Sequence, residues 1–336
     1  MIKTLFGSKA AIAAVFMALA INPFVSNLYL VYIGNLMLIY IVLALGLNLL
    51  IGTAGQFALA HAAMYGIGAY VTGLLQVDLG VPFIAAALTG AVAASAIGTL
   101  LALPALRLSG MYLALATLAF AQATVWVFAN WSSVTHGAGG FAVAPVDFSP
   151  LPVSSEMGMY GLSWLVCLGL FAFAWNLQRS RLGRALIAMR DNEVAAQALG
   201  INLLRHKALA FALSGFYAGA AGALYAGVLN FVTPDGFGLF QLIIVKAMIV
   251  VGGLGSVTGS LFGAVLLVML MEGTRDLQGV QEIAFGLILL VFVLFLPKGL
   301  VGSLARVLPG WSEPKHVVDE AGREAAHATL STRSAR

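Results

Sequence analysis

The residues best placed to do chemistry lie in one polar segment, from Gln178 to Lys207. The segment contains six of the chain's 17 basic residues, which are Arg179, Arg181, Arg184, Arg190, Arg205 and Lys207. A basic cluster between apolar segments indicates the cytoplasmic side of a membrane protein. Such a cluster can bind anionic lipid headgroups, or it can form a structured surface for a protein partner.

The order of residues in this segment predicts two short helices. Apolar residues such as Leu182 and Leu186 alternate with charges at helical spacing. Asp191 is a good N-cap, residues 192–199 suit a helix of about two turns, and Gly200 suits the position after its end. A lipid-binding stripe needs neither a cap nor a terminating glycine. The pattern therefore favours a helix that docks into a groove of a cytoplasmic protein.

Polar side chains are rare in the apolar segments, and each is a candidate for a translocation pathway. These candidates are Asn48, Gln56, His61, Thr117, Gln122 and Lys246. Lys246 is the most costly, because a central Lys costs about 2.5–3.5 kcal/mol on insertion scales. It could pair with a carboxylate, or it could snorkel and pair with helix-end carbonyls. For Gln56 and His61, hydrogen bonding between helices is the alternative to substrate contact.

Sequence motifs for enzymatic chemistry are absent. The chain has no P-loop, no G-x-S-x-G and no H-E-x-x-H, and its five histidines lack metal-ligand spacing. The single Cys167 lies in an apolar run and excludes an internal disulfide. No basic patch interleaved with aromatic residues suggests a nucleic-acid partner. We therefore expect neither an enzyme nor a metal or cofactor on this chain.

The elements that must position these residues are membrane helices. The chain of 336 residues is 61% hydrophobic and 9% charged, and its mean hydropathy is +0.99. These values are typical of an integral membrane protein. We predict an all-α polytopic fold of about ten spans, with a range of eight to ten. The segments are 10–22, 29–51, 55–76, 82–103, 110–130, 159–177, 207–231, 239–253, 257–272 and 281–297.

Charge distribution predicts that both termini lie inside, because basic residues fall in the inner connections and acidic residues in the outer ones. Two segments are ambiguous. The first 27 residues could be a cleaved signal peptide or a short first span, of which we favour the span. Residues 239–253 rise only about 22 Å as a helix and could be re-entrant. We assign 1–303 to the membrane domain and 304–336 to a polar, disordered cytoplasmic tail.

Several runs resemble one known family. They include ALGLNLLIG at 44–52, SRLGRA at 180–185, VGGLGSVTG at 251–259 and LPKGLVG at 296–302, with further matches at 54–56, 66–70, 104–114, 189–193, 198–202, 207–214 and 218–226. In this order they cover nearly the whole chain. The chain resembles the LivM-type permease subunit of bacterial branched-chain amino acid ABC importers.

This resemblance implies a place in a larger pump of the bacterial inner membrane. A homologous second permease, two cytoplasmic ATPases that bind ATP and magnesium, and a periplasmic binding protein would be its partners. The segment from Arg190 to Gly200 would be the coupling helix in an ATPase groove. The residues implied in coupling are Arg190, Asp191, Asn192, Glu193, Ala195, Ala196 and Gly200.

Two departures from the family pattern affect the expected substrate. Residues 55–61 read GQFALAH where the family usually has Gly-Gln-x-Ser-Leu-Gly-His, and residues 135–140 read THGAGG where it has Thr-Gly-Gly. We expect import of branched-chain or other hydrophobic amino acids. Urea or short-chain amides remain alternatives. An ion-coupled secondary transporter is a different class, but the central spans lack the acidic residues that it would need.

Overall fold

Helices form nearly all of the regular structure in the computed structural model, which describes residues 2–25, 27–148, 154–275, 281–295 and 299–307. The α-helices are α1 Ile2–Val25, α2 Leu28–Leu47, α3 His61–Val77, α4 Phe83–Leu101, α5 Met111–Asn130, α6 Ser132–Thr135, α7 Ser155–Arg179, α8 Arg181–Asp191, α9 Glu193–Ala198, α10 Leu203–Leu229, α11 Leu239–Gly252, α12 Val257–Gly273, α13 Gln281–Phe295 and α14 Gly299–Val307. Two residues each form β1 Phe141–Ala142 and β2 Phe231–Val232. The all-α prediction is confirmed.

Six helical segments in the described part of the chain are long and apolar enough to cross a membrane. They are Leu28–Thr53, Phe83–Leu106, Met111–Asn130, Ser155–Arg179, Leu203–Leu229 and Pro234–Gly252. Ala11–Pro23 and Val257–Gly273 are apolar but shorter. The chain is therefore a multi-span membrane protein, while the number ten stays a prediction.

Two predicted boundaries change. The helix that was predicted to begin at residue 55 begins at His61, and residues 54–60 form a non-helical segment before it. The ambiguous segment 239–253 is extended by a 3-10 turn at Pro234–Phe237 into a 19-residue apolar unit. α11 alone, at 14 residues, rises about 21 Å, and the extended backbone of Gly238 separates it from the 3-10 turn, so a full crossing by this segment stays a prediction.

The predicted tail from 304 overlaps the end of α14, which reaches Val307. The rest of that tail, from 308, lies outside the described residues. The predicted choice between a cleaved and an uncleaved N-terminal segment stays open, although residues 2–25 form one helix.

Small residues bring α3, α4 and α10 into backbone contact. A Cβ added at Gly68 would collide with the backbone of Gly219, and one at Gly222 would collide with the carbonyl of Tyr65. Bulkier side chains at these positions would force the helices apart. The glycine-rich runs of α3 and α10 therefore serve close helix packing, as small residues commonly do in membranes.

The most buried of the long helices is α2, which continues into a π-helical turn at Asn48–Thr53. Most of its side chains are buried. π-helical turns are rare and often occur at functional sites. This turn and the non-helical residues 54–60 that follow it bring the end of α2 to the basic segment.

The charged residues separate to two ends of the helix assembly. We define the basic end as residues 48–60, 104–107, 178–207 and 253–256. The acidic end comprises residues 27–32, 136–148, 154–157 and 228–235, together with the C-terminal ends of α3 and α12. There, β1 pairs antiparallel with β2, and Arg275 Nη1 lies 2.9 Å from Tyr29 Oη. Residues of one predicted membrane face thus come together in space.

Candidate functional site

The basic end contains the two helices predicted from the sequence. The hydroxyl of Ser180 caps α8 by accepting from Gly183 N at 3.2 Å. The side-chain carbonyl of Asn192 caps α9 by accepting from Ala195 N at 3.0 Å. The prediction that Asp191 is the cap is wrong by one residue. Asn192 has the extended backbone of a cap, whereas Asp191 is the last residue of α8.

Gly200 ends α9 as predicted. Its φ of +83° is left-handed, a conformation that glycine adopts without strain. Gly200 N donates to Gln197 O at 3.0 Å, and Ile201 N donates to Ala196 O at 3.1 Å. This pair of bonds is the Schellman arrangement, which satisfies the last carbonyls of a helix. A helix of only six residues is thus fixed at both ends.

The outer face of α9 is apolar and exposed. Val194 is 78% exposed and Leu199, just after the helix, is 81% exposed. Ala195 and Ala198 are also exposed, while Ala196 is buried against the rest of the chain. Exposed apolar side chains beside charged ones are typical of a protein interaction site.

Glu193 connects α9 to the membrane helices. Its carboxylate lies 2.9 Å from the Nζ of Lys207 near the start of α10. It also accepts from the Nε2 of Gln56 at 3.2 Å. Lys207 is only 4% exposed and donates as well to the carbonyl of Ala105 at 3.1 Å. One carboxylate therefore joins α9, α10 and the segment after α2.

Arg190 makes a second connection to the same segment. Its Nη1 donates to the carbonyl of Gly52, in the π-helical turn. Gly55 has a φ of +70°, and a Cβ added there would lie 2.7 Å from the Cγ of Arg190. The close approach therefore needs a residue without a side chain at this position. Coupling candidates Arg190 and Glu193 thus both contact the junction between α2 and α3.

Asn48 is occupied by hydrogen bonds within the chain. Its Nδ2 donates to Ser256 O at 2.7 Å and to Ser260 Oγ at 2.8 Å, and its Oδ1 accepts from Gly255 N at 2.8 Å. Gln178 adds bonds to Thr53 Oγ1 at 3.1 Å and Gly255 O at 3.0 Å. These contacts fasten the π-helical turn to the turn between α11 and α12.

His61 and Thr117 also bond within the protein. The Nδ1 of His61 lies 3.0 Å from Ser214 Oγ, and its Nε2 lies 2.9 Å from Leu43 O. The hydroxyl of Thr117 accepts from Leu59 N at 2.8 Å. These arrangements favour the alternative of hydrogen bonding between segments, since no polar atom of His61 lacks a partner.

Lys246 and Gln122 are placed differently. The Nζ of Lys246 lies 4.2 Å from the ring centroid of Phe57, a cation–π contact. Phe57 lies in the segment 54–60 and is 47% exposed. Gln122 is exposed and lines a small cavity with Ala62 and Phe237. Of the six pathway candidates, Gln56 lies in segment 54–60 and Thr117 and Lys246 contact that segment, and a pathway role for the six stays a prediction.

Sequence reasoning missed three contributors to the basic end. In the sequence, Gln178 and Lys207 mark the two ends of the polar segment, and no separate role was predicted for them. Phe57 was noted only as part of the run at 55–61. A buried Lys so near an acidic residue in sequence, Glu193 fourteen positions earlier, could have suggested the pair. The contact between Gln56 and Glu193 spans 137 positions and left no local signal.

Comparison with known proteins gives consistent matches. Residues 29–296 match the family model described as branched-chain amino acid transport system / permease component. The high-affinity branched-chain amino acid transport system permease protein LivM of Escherichia coli (strain K12) is 33% identical over 83% of this chain and 71% of its own. The LivH protein of the same strain and the BraD protein of Pseudomonas aeruginosa are each 28% identical over 78% of this chain and 91% of their own. No solved structure matches significantly.

Proposed function

Because the chain belongs to the family of branched-chain amino acid transport permeases, we propose that it is the permease subunit of an ATP-driven importer of branched-chain and other hydrophobic amino acids. The observation that carries this proposal is the 33% identity to a LivM protein over most of the chain. The relatives named LivH and BraD belong by name to the same kind of transport system. These names favour amino acids over urea or short-chain amides.

The orientation we propose puts the basic end in the cytoplasm of a bacterium and the acidic end outside its inner membrane. Arg107, the cluster at 179–207 and the turn at 253–256 meet at one end, whereas Asp78, Glu156 and Asp235 belong to the other. The positive-inside rule supports this assignment. Ten spans with both termini inside fit the same distribution of charge.

The proposed partners follow from what the chain lacks and what it exposes. Two differently named permease proteins of one organism match the chain, which supports pairing with a homologous second permease. The sequence has no P-loop, so ATP and magnesium would be bound by two separate ATPase subunits. A periplasmic binding protein would deliver the substrate to the acidic end.

The exposed face of α9 is the proposed contact with an ATPase subunit. A short helix with Val194 and Leu199 exposed suits insertion into a groove. Any displacement of α9 would act on Glu193 and Arg190, which contact Gln56, Lys207 and the carbonyl of Gly52. ATP-driven closure of the ATPases would in this way move the junction of α2 and α3.

Reconstitution tests this function directly. The chain is purified with the proteins that accompany it, placed in liposomes and supplied with ATP inside. Uptake of radiolabelled leucine, isoleucine, valine, urea and acetamide is then measured with the periplasmic binding protein outside. ATP-dependent uptake of the three amino acids supports the proposal. Uptake by this chain alone, driven by an ion gradient, would support a secondary transporter instead.

A further inference from the structure

The exposed surface of the membrane helices is of two kinds, and the first kind covers α4 and α7. Over α4 and the central turns of α7, the exposed side chains are apolar, as Leu88 and Leu165 are, or are threonines. The exposed hydroxyls of Thr89 and Thr99 donate to carbonyls of their own helix. Such a surface suits lipid, because hydrocarbon offers no partner to a polar group.

The second kind of surface, on α5 and α11, exposes polar groups. Gln122 is the twelfth of the 20 residues of α5, is exposed, and makes no hydrogen bond with another described residue. Lys246 is the eighth of the 14 residues of α11 and is partly exposed, with the ring of Phe57 against its Nζ. An amide or ammonium without hydrogen-bond partners is costly in hydrocarbon. These groups therefore need surroundings other than lipid tails.

The exposed residues of these two helices form one continuous face. On each helix they recur three and four positions apart, a spacing that places them on one side. The α5–α11 face consists of Leu115, Ala119, Gln122 and Trp126 on α5 and Leu239, Ile243, Lys246 and Val250 on α11. The two rows are adjacent, since Gln122 and Leu239 line the same small cavity. With 20 residues, α5 is about 30 Å long, so the face crosses the whole hydrocarbon core.

The backbone of segment 54–60 gives independent evidence about the same face. Leu59 N donates to the hydroxyl of Thr117, which lies about 9 Å along α5 from its first residue. The segment is therefore non-helical at membrane depth, and its residues Gly55 and Phe57 are exposed. Non-helical backbone occurs at this depth only where protein covers it or where it lines a water-filled cavity. A lipid-facing position is excluded for this side of the molecule.

We propose that the α5–α11 face is the surface that meets the homologous second permease subunit, whereas α4 and α7 face lipid. The occupant must span the membrane and offer hydrogen-bond acceptors to Lys246 and Gln122, which a helical subunit can do and lipid tails cannot. Ala119 and Ala123 are exposed beside Gln122, and small residues let a helix of the partner approach closely. This inference rests on the proposed function for the existence of the partner. It adds the side of the chain on which that partner binds.

Cross-linking in native membranes tests the face. Leu115→Cys and Ile243→Cys lie on it, and Leu88→Cys and Leu165→Cys are controls on α4 and α7 with similar exposure. Each thiol is labelled with a benzophenone and the membranes are illuminated. Cys167 is buried, so the labelled unaltered chain serves as the blank. We expect the first pair, and not the second, to give an adduct in which mass spectrometry finds peptides of another member of this permease family.

Three results would overturn the proposal. The control pair could give as much of this adduct as the first pair. Both variants of the α5–α11 face could give no protein adduct, in which case lipid covers that face. Their adduct could instead join two copies of this chain, in which case the face pairs with itself.

A matched pair of bulky substitutions gives a second measurement. Ala119→Trp places a large ring where the partner would pack, and Ala96→Trp makes the same change at an exposed alanine of α4. We expect the amount of second permease that copurifies to fall at least about fivefold in Ala119→Trp and to be unchanged in Ala96→Trp. Equal amounts in the two variants would contradict the proposed face.

Transport separates this inference from the proposed function. Expected adducts in a complex that imports none of the three amino acids would overturn the proposed substrate and leave the face in place. ATP-driven leucine uptake by a complex in which only α4 and α7 cross-link to the second permease would overturn the face alone.

Discussion

The basic and acidic ends of this protein differ in whether their buried polar groups have hydrogen-bond partners. At the basic end, Asn48, Gln178, Glu193 and Lys207 all bond to groups of the chain itself. The buried side-chain nitrogen and oxygen atoms that lack a partner, among the described residues, all lie elsewhere. Two of them are the Oδ1 atoms of Asn35 and Asn230, on the side of the acidic end.

This difference has a physical meaning. A saturated hydrogen-bond network resists deformation, because each bond that breaks leaves a buried group without a partner. Such a network can pass a displacement from one element to another. A buried oxygen without a partner adds nothing to such a network. We therefore associate the basic end with the transfer of force, and we expect the unpaired amides of the acidic end to contribute little to stability.

The strongest test of the comparison removes the charge at the centre of the basic end. Glu193→Lys leaves the buried ammonium of Lys207 without its carboxylate and adds a like charge beside it. We expect ATP-driven leucine uptake in liposomes to fall at least about tenfold, since an unpaired buried charge is costly. The protein should still insert, as measured by its amount in the membrane fraction.

A neighbouring position provides the control for that change. Asp191→Lys makes the same change of charge at an exposed coupling candidate and should cost less uptake than Glu193→Lys, because it does not break the ion pair with Lys207. Equal losses in the two variants would mean that net charge of the loop, and not the contact with Lys207, governs coupling.

A matched pair on one continuous helix compares the two ends directly. Asn48→Leu removes three hydrogen bonds and leaves Gly255 N without its partner, so we expect a loss of roughly 2–4 kcal/mol in stability. Asn35→Leu removes a buried amide oxygen that has no partner and should be neutral or stabilising. Thermal unfolding of the purified complex in detergent measures both. A greater loss in Asn35→Leu would contradict the comparison.

The end of α9 offers a test of rigidity. Gly200→Pro cannot adopt the φ of +83° and lacks the N–H that bonds to Gln197 O. We expect a local cost of about 1–3 kcal/mol, with frayed α9 and reduced ATP-driven uptake. Gly200→Asn is the control, because asparagine tolerates left-handed backbone. If both variants transport normally, a rigid α9 is not required.

The smallest expected effect concerns Lys246. Phe57→Leu removes the ring that lies 4.2 Å from its Nζ and should cost about 0.5–1 kcal/mol in stability. Phe57→Tyr keeps a ring and should behave as the unaltered protein. The shift of the unfolding temperature measures both variants. If uptake falls far more than this small change in stability explains, Lys246 takes part in the translocation pathway and not only in packing at the basic end.

Local signals accounted for what the sequence predicted correctly. The end of α9 at Gly200 was predicted because a glycine after a short helix is a property of neighbouring residues. The cap was placed at Asp191 instead of Asn192, since both residue types cap helices and only the backbone decides between them. The apolar composition likewise identified most helices within a few residues.

Contacts between distant residues could not be predicted in this way. The residues of segment 54–60 are as apolar as a span, and the first six residues of a predicted helix proved to be non-helical because their partners are Glu193, Thr117 and Lys246. Asn35 drew no attention in sequence. Its significance lies in the lack of a partner, which depends on every helix around it.

The exposed side chains of α9 have a consequence for the life of the protein in the cell. Val194 and Leu199 are the kind of apolar surface that chaperones and proteases recognise on incomplete proteins. If α9 docks as proposed, assembly covers both side chains, whereas a surplus copy leaves them open. Expression of this chain without its partners should therefore shorten its half-life, and Val194→Ser with Leu199→Ser should lengthen it again. The exposure of α9 would then distinguish an unassembled subunit from one that has joined its complex.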